Sequence, residues 1–187
     1  MLEVPLNSFV MATAWKRIVA YLVDYLVIAA YFGIMSGIYF ALRGVGVAIS
    51  QSYDTVVDKI QGQAIAIVLF TLPVICYFAL LEASAWRASI GKRLMRLQVV
   101  GMDGQRISRA KSFLRSTIKF APWEIAHTGI WFVTGQPFVS PPSTLSRWAW
   151  GISLLFASCW IASLFIGGRR TPYDWIAQTR VEQSSSP

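Results

Sequence analysis

Charged residues are scarce in this sequence, and acidic residues are scarcer than basic ones. Only 14% of the 187 residues are charged, while 55% are hydrophobic. An ordinary soluble domain has about 25% charged residues, so this composition excludes that class. The 17 Lys and Arg against 9 Asp and Glu give a formal net charge of +8. The excess of basic residues is explained either by an acidic partner that they bind or by the orientation of the chain in a membrane.

Cysteine and histidine are also rare. Cys76 and Cys159 both lie inside apolar runs, where they behave as small hydrophobic residues and not as a disulfide or a metal pair. His127 is the single histidine, and the sequence contains no Ser-His-Asp set, metal cluster or phosphate-binding loop. We therefore expect no metal, no cofactor and no enzymatic activity.

The longest apolar run, Trp15 to Leu42, predicts a transmembrane helix. About 20 apolar residues at 1.5 Å each cross a hydrocarbon core of about 30 Å. Because Lys16 and Arg17 come directly before a long run, we expect the helix to be its own insertion signal, without a cleaved signal peptide. Asp24 then lies roughly 10 Å deep, where an unpaired charge costs on the order of 2.5 to 3.5 kcal/mol or more.

The two faces of this first helix differ. Positions seven apart fall within about 20° of each other, so Arg17, Asp24 and Tyr31 share one stripe. Asp24 is either a buried acid satisfied by Arg17, tyrosine hydroxyls or backbone, or a site for a proton or cation. The opposite face predicts close packing, within the chain first and between copies second. Its small residues are Ala29, Gly33, Gly37 and Ala41.

The second apolar run, Gln63 to Ala85, predicts another transmembrane helix with an irregularity in it. Pro73 removes one backbone hydrogen bond and clashes with the preceding turn, so we expect a kink there. Glu82 lies near the end of the run, close to Arg87 and the basic segment that follows. We expect Glu82 to form an interfacial ion pair; a role in handling protons is the alternative.

Basic residues concentrate in the connection from Trp86 to Lys119, whose only acid is Asp103. They are Arg87, Lys92, Arg93, Arg96, Arg106, Arg109, Lys111, Arg115 and Lys119. This distribution is typical of a cytoplasmic loop of a membrane protein, so we expect no nucleic-acid partner. Asp103-Gly104 predicts a short hairpin. Lys92 and Arg93 are candidates for binding anionic lipid headgroups or a partner protein; alternatively, the loop only fixes orientation.

The third apolar segment is weak. Phe120 to Val133 lacks basic residues but is only about 14 residues long, which is short for a crossing, and Pro122 interrupts it. It needs Thr117 to Lys119 to reach across the bilayer. Glu124 and His127 are three apart on one helical face, which predicts a hydrogen-bonded pair or a proton relay.

A final strong span, Trp148 to Ile166, precedes Gly167-Gly168 and Arg169-Arg170. Lys16-Arg17, the basic connection and Arg169-Arg170 all lie on the cytoplasmic side if the number of crossings is even. We therefore predict an all-α integral membrane protein, a four-helix transmembrane bundle with both termini cytoplasmic. A three-span arrangement is the alternative.

The pattern of apolar runs and charges predicts three parts in the chain. Residues 1–14 form a cytoplasmic lead, residues 15–181 form the transmembrane domain, and residues 182–187 form a flexible tail. Because four helices enclose little space, we expect a homo-oligomer or a membrane-protein partner.

Several short motifs resemble the RDD family of small bacterial membrane proteins, which is named for one arginine and two aspartates. Arg17 and Asp24 occupy the first two positions, and Asp174 occupies the third. The motifs are AWKRIVA (14–20), SIGKRL (89–94), VVGMDG (99–104) and RTPYDWIAQT (170–179). The sequence departs from the family pattern at Tyr173, where histidine is expected, and in its short, polar third segment.

The resemblance implies a bacterial inner-membrane protein, and cation/proton antiport has been proposed within the family. An intramembrane carboxylate can bind either a proton or a small cation, which is the minimum requirement of an exchanger. The first hypothesis is therefore an exchanger in which Asp24 binds the ion, Asp174 assists and Arg17 tunes the carboxylate. The second is a non-catalytic scaffold or accessory subunit, in which these three residues lock helices together and the basic connection binds lipid or a partner protein.

Overall fold

The computed structural model describes residues 11–46, 54–135, 139–166 and 169–184. Most of them are helical, and the remainder includes one two-stranded sheet. The helices are α1 (Ala14–Gly44), α2 (Val56–Ala66), α3 (Leu72–Glu82), α4 (Ile90–Leu94), α5 (Arg109–Trp131), α6 (Thr144–Ser163) and α7 (Pro172–Ile176). A π-helical turn (Ile67–Thr71) joins α2 to α3, and the strands are β1 (Leu97–Gly101) and β2 (Thr179–Gln183).

Two helical stretches are long and apolar enough to cross a membrane. They are Ala14–Gly44 and the continuous stretch Val56–Glu82. Helix α1 begins where the Thr13 side chain accepts a hydrogen bond from the Lys16 amide, which satisfies one of the free N–H groups of the first turn. The predicted first and second spans correspond to these two stretches.

The irregularity predicted around Pro73 takes the form of the π-helical turn that precedes it. Proline lacks the N–H that would bond to the carbonyl four residues earlier, which belongs to Leu69. The Tyr31 hydroxyl of α1 donates to that carbonyl instead. Tyr31 of the predicted polar stripe therefore repairs a backbone defect in the neighbouring helix.

The third segment is longer than predicted. Helix α5 runs without a break for 23 residues from Arg109 to Trp131, so the basic stretch and the short apolar stretch form one element. The Ser108 side chain caps its first turn by accepting from the Lys111 amide. Hydropathy underestimates the length of this helix, because Arg115 and Lys119 count as polar although both are buried in the folded chain.

The hairpin expected at Asp103-Gly104 does not form. The turn itself is present, with the Gly101 amide donating to the Gln105 carbonyl at 2.9 Å. However, β1 pairs antiparallel with the distant β2, with Val99 opposite Val181. Because Glu182 and Gln183 belong to β2, the chain is ordered into strand beyond residue 181, where the tail was predicted to begin.

The ends of the long helices gather into two groups. At one end, α1 begins, α3 and α6 end, α5 begins, and the sheet lies beside them; a small apolar cluster including Ala20, Leu97 and Val181 packs there. At the other end, Lys59 of α2 donates to the Val133 carbonyl just beyond α5 at 2.6 Å. Four long helical stretches, α1, α2–α3, α5 and α6, therefore connect the two ends, and each runs in the direction opposite to the one before it along the chain.

The small-residue face of α1 has no partner among the residues that the structure describes. A Cβ added at Gly33 or Gly37 would meet no atom within 4 Å, and Ala29 and Ala41 are exposed. The prediction that this face packs within the chain is therefore wrong for the described part, and self-association stays a prediction. Residues 1–10 of the lead, Gly167-Gly168 and residues 185–187 lie outside the described residues.

Candidate functional site

Asp24 of α1 is buried and receives its hydrogen bonds from neutral donors. The hydroxyls of Tyr77 and Ser89 donate to its two carboxylate oxygens at 2.8 and 2.6 Å, and the Gly91 amide donates at 2.8 Å. Ser89 and Gly91 open the short helix α4, whose free amides favour a carboxylate. Asp24 therefore caps α4 from another helix.

Close approach between α1 and α4 makes this cap possible. A Cβ added at Gly91 would overlap the Ala20 carbonyl and lie 3.0 Å from the Asp24 carboxyl carbon. Glycine is needed there because any larger residue would separate the two helices and break the hydrogen bonds to Asp24. This is a physical reason for the glycine in the SIGKRL segment.

Asp174 forms a second buried cap, at α7. Its Oδ2 accepts from the Thr171 amide and hydroxyl at 3.2 and 2.7 Å. Arg17 of α1 donates to the same oxygen at 2.8 Å and also to the Arg169 carbonyl. Arg17 therefore ties the beginning of α1 to the segment that follows α6.

Arg115 of α5 bridges two acids. Its guanidinium lies 2.8 Å from Asp174 Oδ1 and 2.5 Å from Glu82 Oε2. Glu82 also accepts from Lys92 Nζ at 2.8 Å. The expectation that Glu82 pairs with the following basic segment is confirmed for Lys92, while Arg87 instead donates to the Gly104 carbonyl.

These contacts form a path of neighbouring side chains that begins and ends on α1, and we call this path the polar ring. Lys92 Nζ lies 3.4 Å from Ser89 Oγ, and Ser89 in turn donates to Asp24, which returns the path to α1. The three cations and three carboxylates of the ring are all buried and balance each other. In order, the ring consists of Arg17, Asp174, Arg115, Glu82, Lys92, Ser89 and Asp24.

The ring favours the ionised form of Asp174. Burial alone would raise the pKa of this carboxyl, but Arg115, Arg17 and the Thr171 hydrogen bond hold the pKa well below its ordinary value. Breaking a buried ion pair by removing one partner costs about 3–5 kcal/mol, because the other charge is left uncompensated. Each charged member of the ring is therefore strongly constrained by its neighbours.

Lys92 and Arg93 have opposite environments. Lys92 is only 5% exposed and its ammonium contacts Glu82, so the prediction that Lys92 reaches lipid headgroups is wrong. Its ammonium is held by a buried acid. Arg93 is exposed and stacks on Trp86, with its guanidinium carbon 4.0 Å from the ring centroid. Arg93 alone of the pair stays available to a headgroup or a partner.

Glu124 and His127 form the hydrogen-bonded pair that their spacing predicted. His127 Nδ1 lies 3.3 Å from Glu124 Oε1, and Thr71 donates to the same carboxyl oxygen. Both side chains are partly buried, between α5 and the π-helical turn, and lie apart from the polar ring. Within the described part of the chain, no group of His, Cys, Asp and Glu could hold a metal ion.

A cavity of about 410 Å³ lies beside the ring, between α1, α5 and α6. Its wall is mainly apolar and aromatic, and Asp24 and Lys119 contribute the charged side chains among its lining. Lys119 lies one helical turn after Arg115, and unlike Arg115 its ammonium has no hydrogen-bond partner among the residues described. The site thus combines a ring of balanced charges with one buried amine that has no hydrogen-bond partner among the described residues.

The sequence profile of the RDD family matches residues 11–178, nearly the whole chain. The chain belongs to the RDD family. Family membership and the two apolar helices indicate a membrane protein. Comparison with curated proteins and with solved structures found no match.

The three residues after which the RDD family is named divide between two contacts in this structure. Arg17 and Asp174 pair directly, whereas Asp24 joins them only through the rest of the ring. Arg115 and Ser89, which complete the ring, were not singled out from the sequence. A usable signal was present for Arg115: Ser112, Arg115, Ser116 and Lys119 recur at three- and four-residue spacing, and all four are buried.

Proposed function

We propose that this RDD protein is a non-catalytic scaffold or accessory subunit of the bacterial inner membrane, and that its polar ring has a structural role. The observation that supports this proposal is the closure of the ring, in which every charged side chain is buried and contacts a partner. A carboxylate that exchanges ions must be released from its partners in each cycle. Asp24 instead accepts three hydrogen bonds, and Asp174 contacts two guanidinium groups.

The proposed topology has four crossings with both termini cytoplasmic. Helices α5 and α6, at 23 and 20 residues, are long enough to cross beside the two apolar stretches. The basic connection, the beginning of α1 and the segment after α6 all lie at the ring end of the helices. Placing that end in the cytoplasm satisfies the positive-inside bias.

The partner surface we propose is the exposed basic face at this end. Arg93 on Trp86 is joined there by other exposed arginines before α5 and at its first residue, namely Arg96, Arg106 and Arg109. Basic side chains near a membrane surface each contribute about 1 kcal/mol to binding anionic headgroups. This face therefore suits anionic lipid or an acidic segment of a membrane-protein partner.

Cation/proton exchange is the second candidate, and one observation favours it. Asp24 lines the cavity as well as capping α4, so an ion entering the cavity would reach a carboxylate. In this case Asp24 would release Tyr77 and Ser89 during each cycle.

The two candidates separate in proteoliposomes. Proton flux is measured under imposed sodium or potassium gradients for the parent, for Asp24→Asn and for Asp103→Asn, a control in an exposed turn, at matched insertion. The scaffold predicts no flux above empty liposomes for any of the three, and a lower unfolding temperature only for Asp24→Asn. Cation-dependent flux in the parent and in Asp103→Asn, lost in Asp24→Asn, would overturn the scaffold and support exchange.

A further inference from the structure

The cavity beside the polar ring has the size and lining of a ligand site. Its volume of about 410 Å³ lies within the range of about 300–1,000 Å³ that is common for small-molecule sites. Apolar side chains from three helices line it, including Leu22 and Ile28 from α1, Phe120 and Trp123 from α5, and Ala157 and Ile161 from α6. Such a wall suits a hydrocarbon chain.

The wall also holds a basic group without a counter-ion. Lys119 is only 7% exposed, and no hydrogen-bond acceptor contacts its ammonium among the residues described. The ammonium lies 3.2 Å from the ring centroid of Phe78 and 4.5 Å from that of Tyr21, and both rings line the cavity too. Stacking on aromatic rings offsets only part of the cost of burying a cation.

The nearby acids are already engaged. Glu82 contacts Lys92 and Arg115, and Asp24 accepts from Tyr77, Ser89 and Gly91. Since the charges of the ring balance without Lys119, a protonated Lys119 has no counter-charge of its own, and burial disfavours that form while the cavity is empty. A ligand with an acidic head would supply the missing counter-charge.

A second donor lies at the same wall. The hydroxyls of Tyr21 and Tyr173 hydrogen-bond to each other, and both residues line the cavity. One bond between two hydroxyls uses one proton, so the other proton has no acceptor in the described part of the chain. An acidic head group beside Lys119 can accept it.

We propose that this cavity binds an anionic amphiphile, with its carboxylate or phosphate at Lys119 and its acyl chain along α1, α5 and α6. The proposal rests on the non-catalytic binding role proposed above and specifies a ligand class for it. The ligand is either a free fatty acid or an anionic lipid of the surrounding membrane, since both present an acidic head on a hydrocarbon chain.

The test uses the full chain in neutral detergent, with oleate and its uncharged methyl ester as probes. A change in the tryptophan emission spectrum reports binding, because Trp123 and Trp160 line the cavity. We expect the parent to bind oleate about tenfold or more tightly than methyl oleate. We expect Lys119→Met to remove that preference, while the control Lys111→Met, on the same helix but outside the cavity, keeps it.

A second variant tests the cavity itself, so that the result does not depend on Lys119→Met alone. Ala157→Phe fills the cavity without changing any charge, so we expect it to weaken binding of oleate and of the ester alike. Equal affinity of the parent for oleate and ester, or an unchanged preference in Lys119→Met, would overturn the proposal.

Competition identifies the source of the ligand. Displacement of oleate by phosphatidylglycerol, but not by phosphatidylcholine, assigns the site to membrane lipid. Displacement by free fatty acids alone assigns it to fatty acid, and either result supports the proposal. A negative binding result combined with absent ion flux would remove this ligand and leave the scaffold role standing.

Discussion

Arg115 and Lys119 lie one turn apart on the same face of α5, and both are buried, yet only one of them is paired. Arg115 contacts Glu82 and Asp174, whereas Lys119 contacts aromatic rings beside a cavity. The difference arises from what the neighbouring elements offer, since α3 and α7 present carboxylates to Arg115. Two buried basic residues of one helix can therefore have different roles, one holding elements together and one available to a ligand.

The largest effect on stability is expected when the paired residue, Arg115, is replaced. Arg115→Met leaves Glu82 and Asp174 without their shared cation, so we expect a loss of about 3–5 kcal/mol in the free energy of unfolding. Denaturant titration in detergent measures it. Arg109→Met, at the exposed start of the same helix, should change stability by less than about 0.5 kcal/mol. Similar losses in both variants would show that Arg115 is not a bridge.

A smaller loss is expected where two helices approach closely beside the ring. Gly91→Ala places a Cβ against the Ala20 carbonyl and the Asp24 carboxyl, so we expect about 1–3 kcal/mol of destabilisation. Gly33→Ala is the matched control, because its Cβ would point into open space. Thermal unfolding of both variants distinguishes them, and an unaffected Gly91→Ala would contradict the close contact.

Acid should weaken the ring through Asp174. Its folded pKa lies below the unfolded value of about 3.9, so its contribution is complete well above that value and declines as pH falls through it. We expect the unfolding temperature of the parent to decrease below about pH 4. Asp174→Asn should show a shallower decrease, and parallel curves for the two proteins would argue against a paired carboxylate.

The smallest effect on stability is expected when the unpaired residue, Lys119, is replaced. Lys119→Met exchanges a buried amine without a hydrogen-bond partner for an apolar side chain of similar length. Burying a polar group without a hydrogen bond is costly, and the change removes that cost, so we expect no loss of unfolding free energy. A loss as large as that of Arg115→Met would mean that Lys119 is also structurally paired, which would remove the contrast between the two residues.

The parts of this fold that were predictable depend on local sequence. The apolar runs around Asp24 and Pro73 predicted two membrane helices, and the missing N–H of Pro73 predicted where the second helix deviates. The pairing of Glu82 with the basic segment and of Glu124 with His127 followed from proximity along the chain. Each of these features involves residues that are neighbours in sequence or on one helix face.

The parts that were missed depend on partners far along the chain. Strand β2 is five residues long and pairs with β1 about 80 residues earlier, so Asp103-Gly104 suggested the wrong partner. Hydropathy treated Arg115 and Lys119 as interruptions of a span. It cannot register that Arg115 has counter-charges on α3 and α7, or that Lys119 packs against aromatic rings of other helices. Lys92 was assigned to the surface although Glu82 lies only 10 residues earlier, because the position of α4 decides which basic residue of the segment meets Glu82.

The direct test of the polar ring is a double-mutant cycle on the pair that joins the beginning of α1 to α7. Unfolding free energies are measured for the parent, Arg17→Met, Asp174→Asn and the double variant. The ring predicts that each single change is costly and that the two are coupled by about 2–3 kcal/mol, because the second change no longer strands a charge. Additive losses, with a coupling near zero, would contradict a structural contact between Arg17 and Asp174 and with it the structural role assigned to the ring.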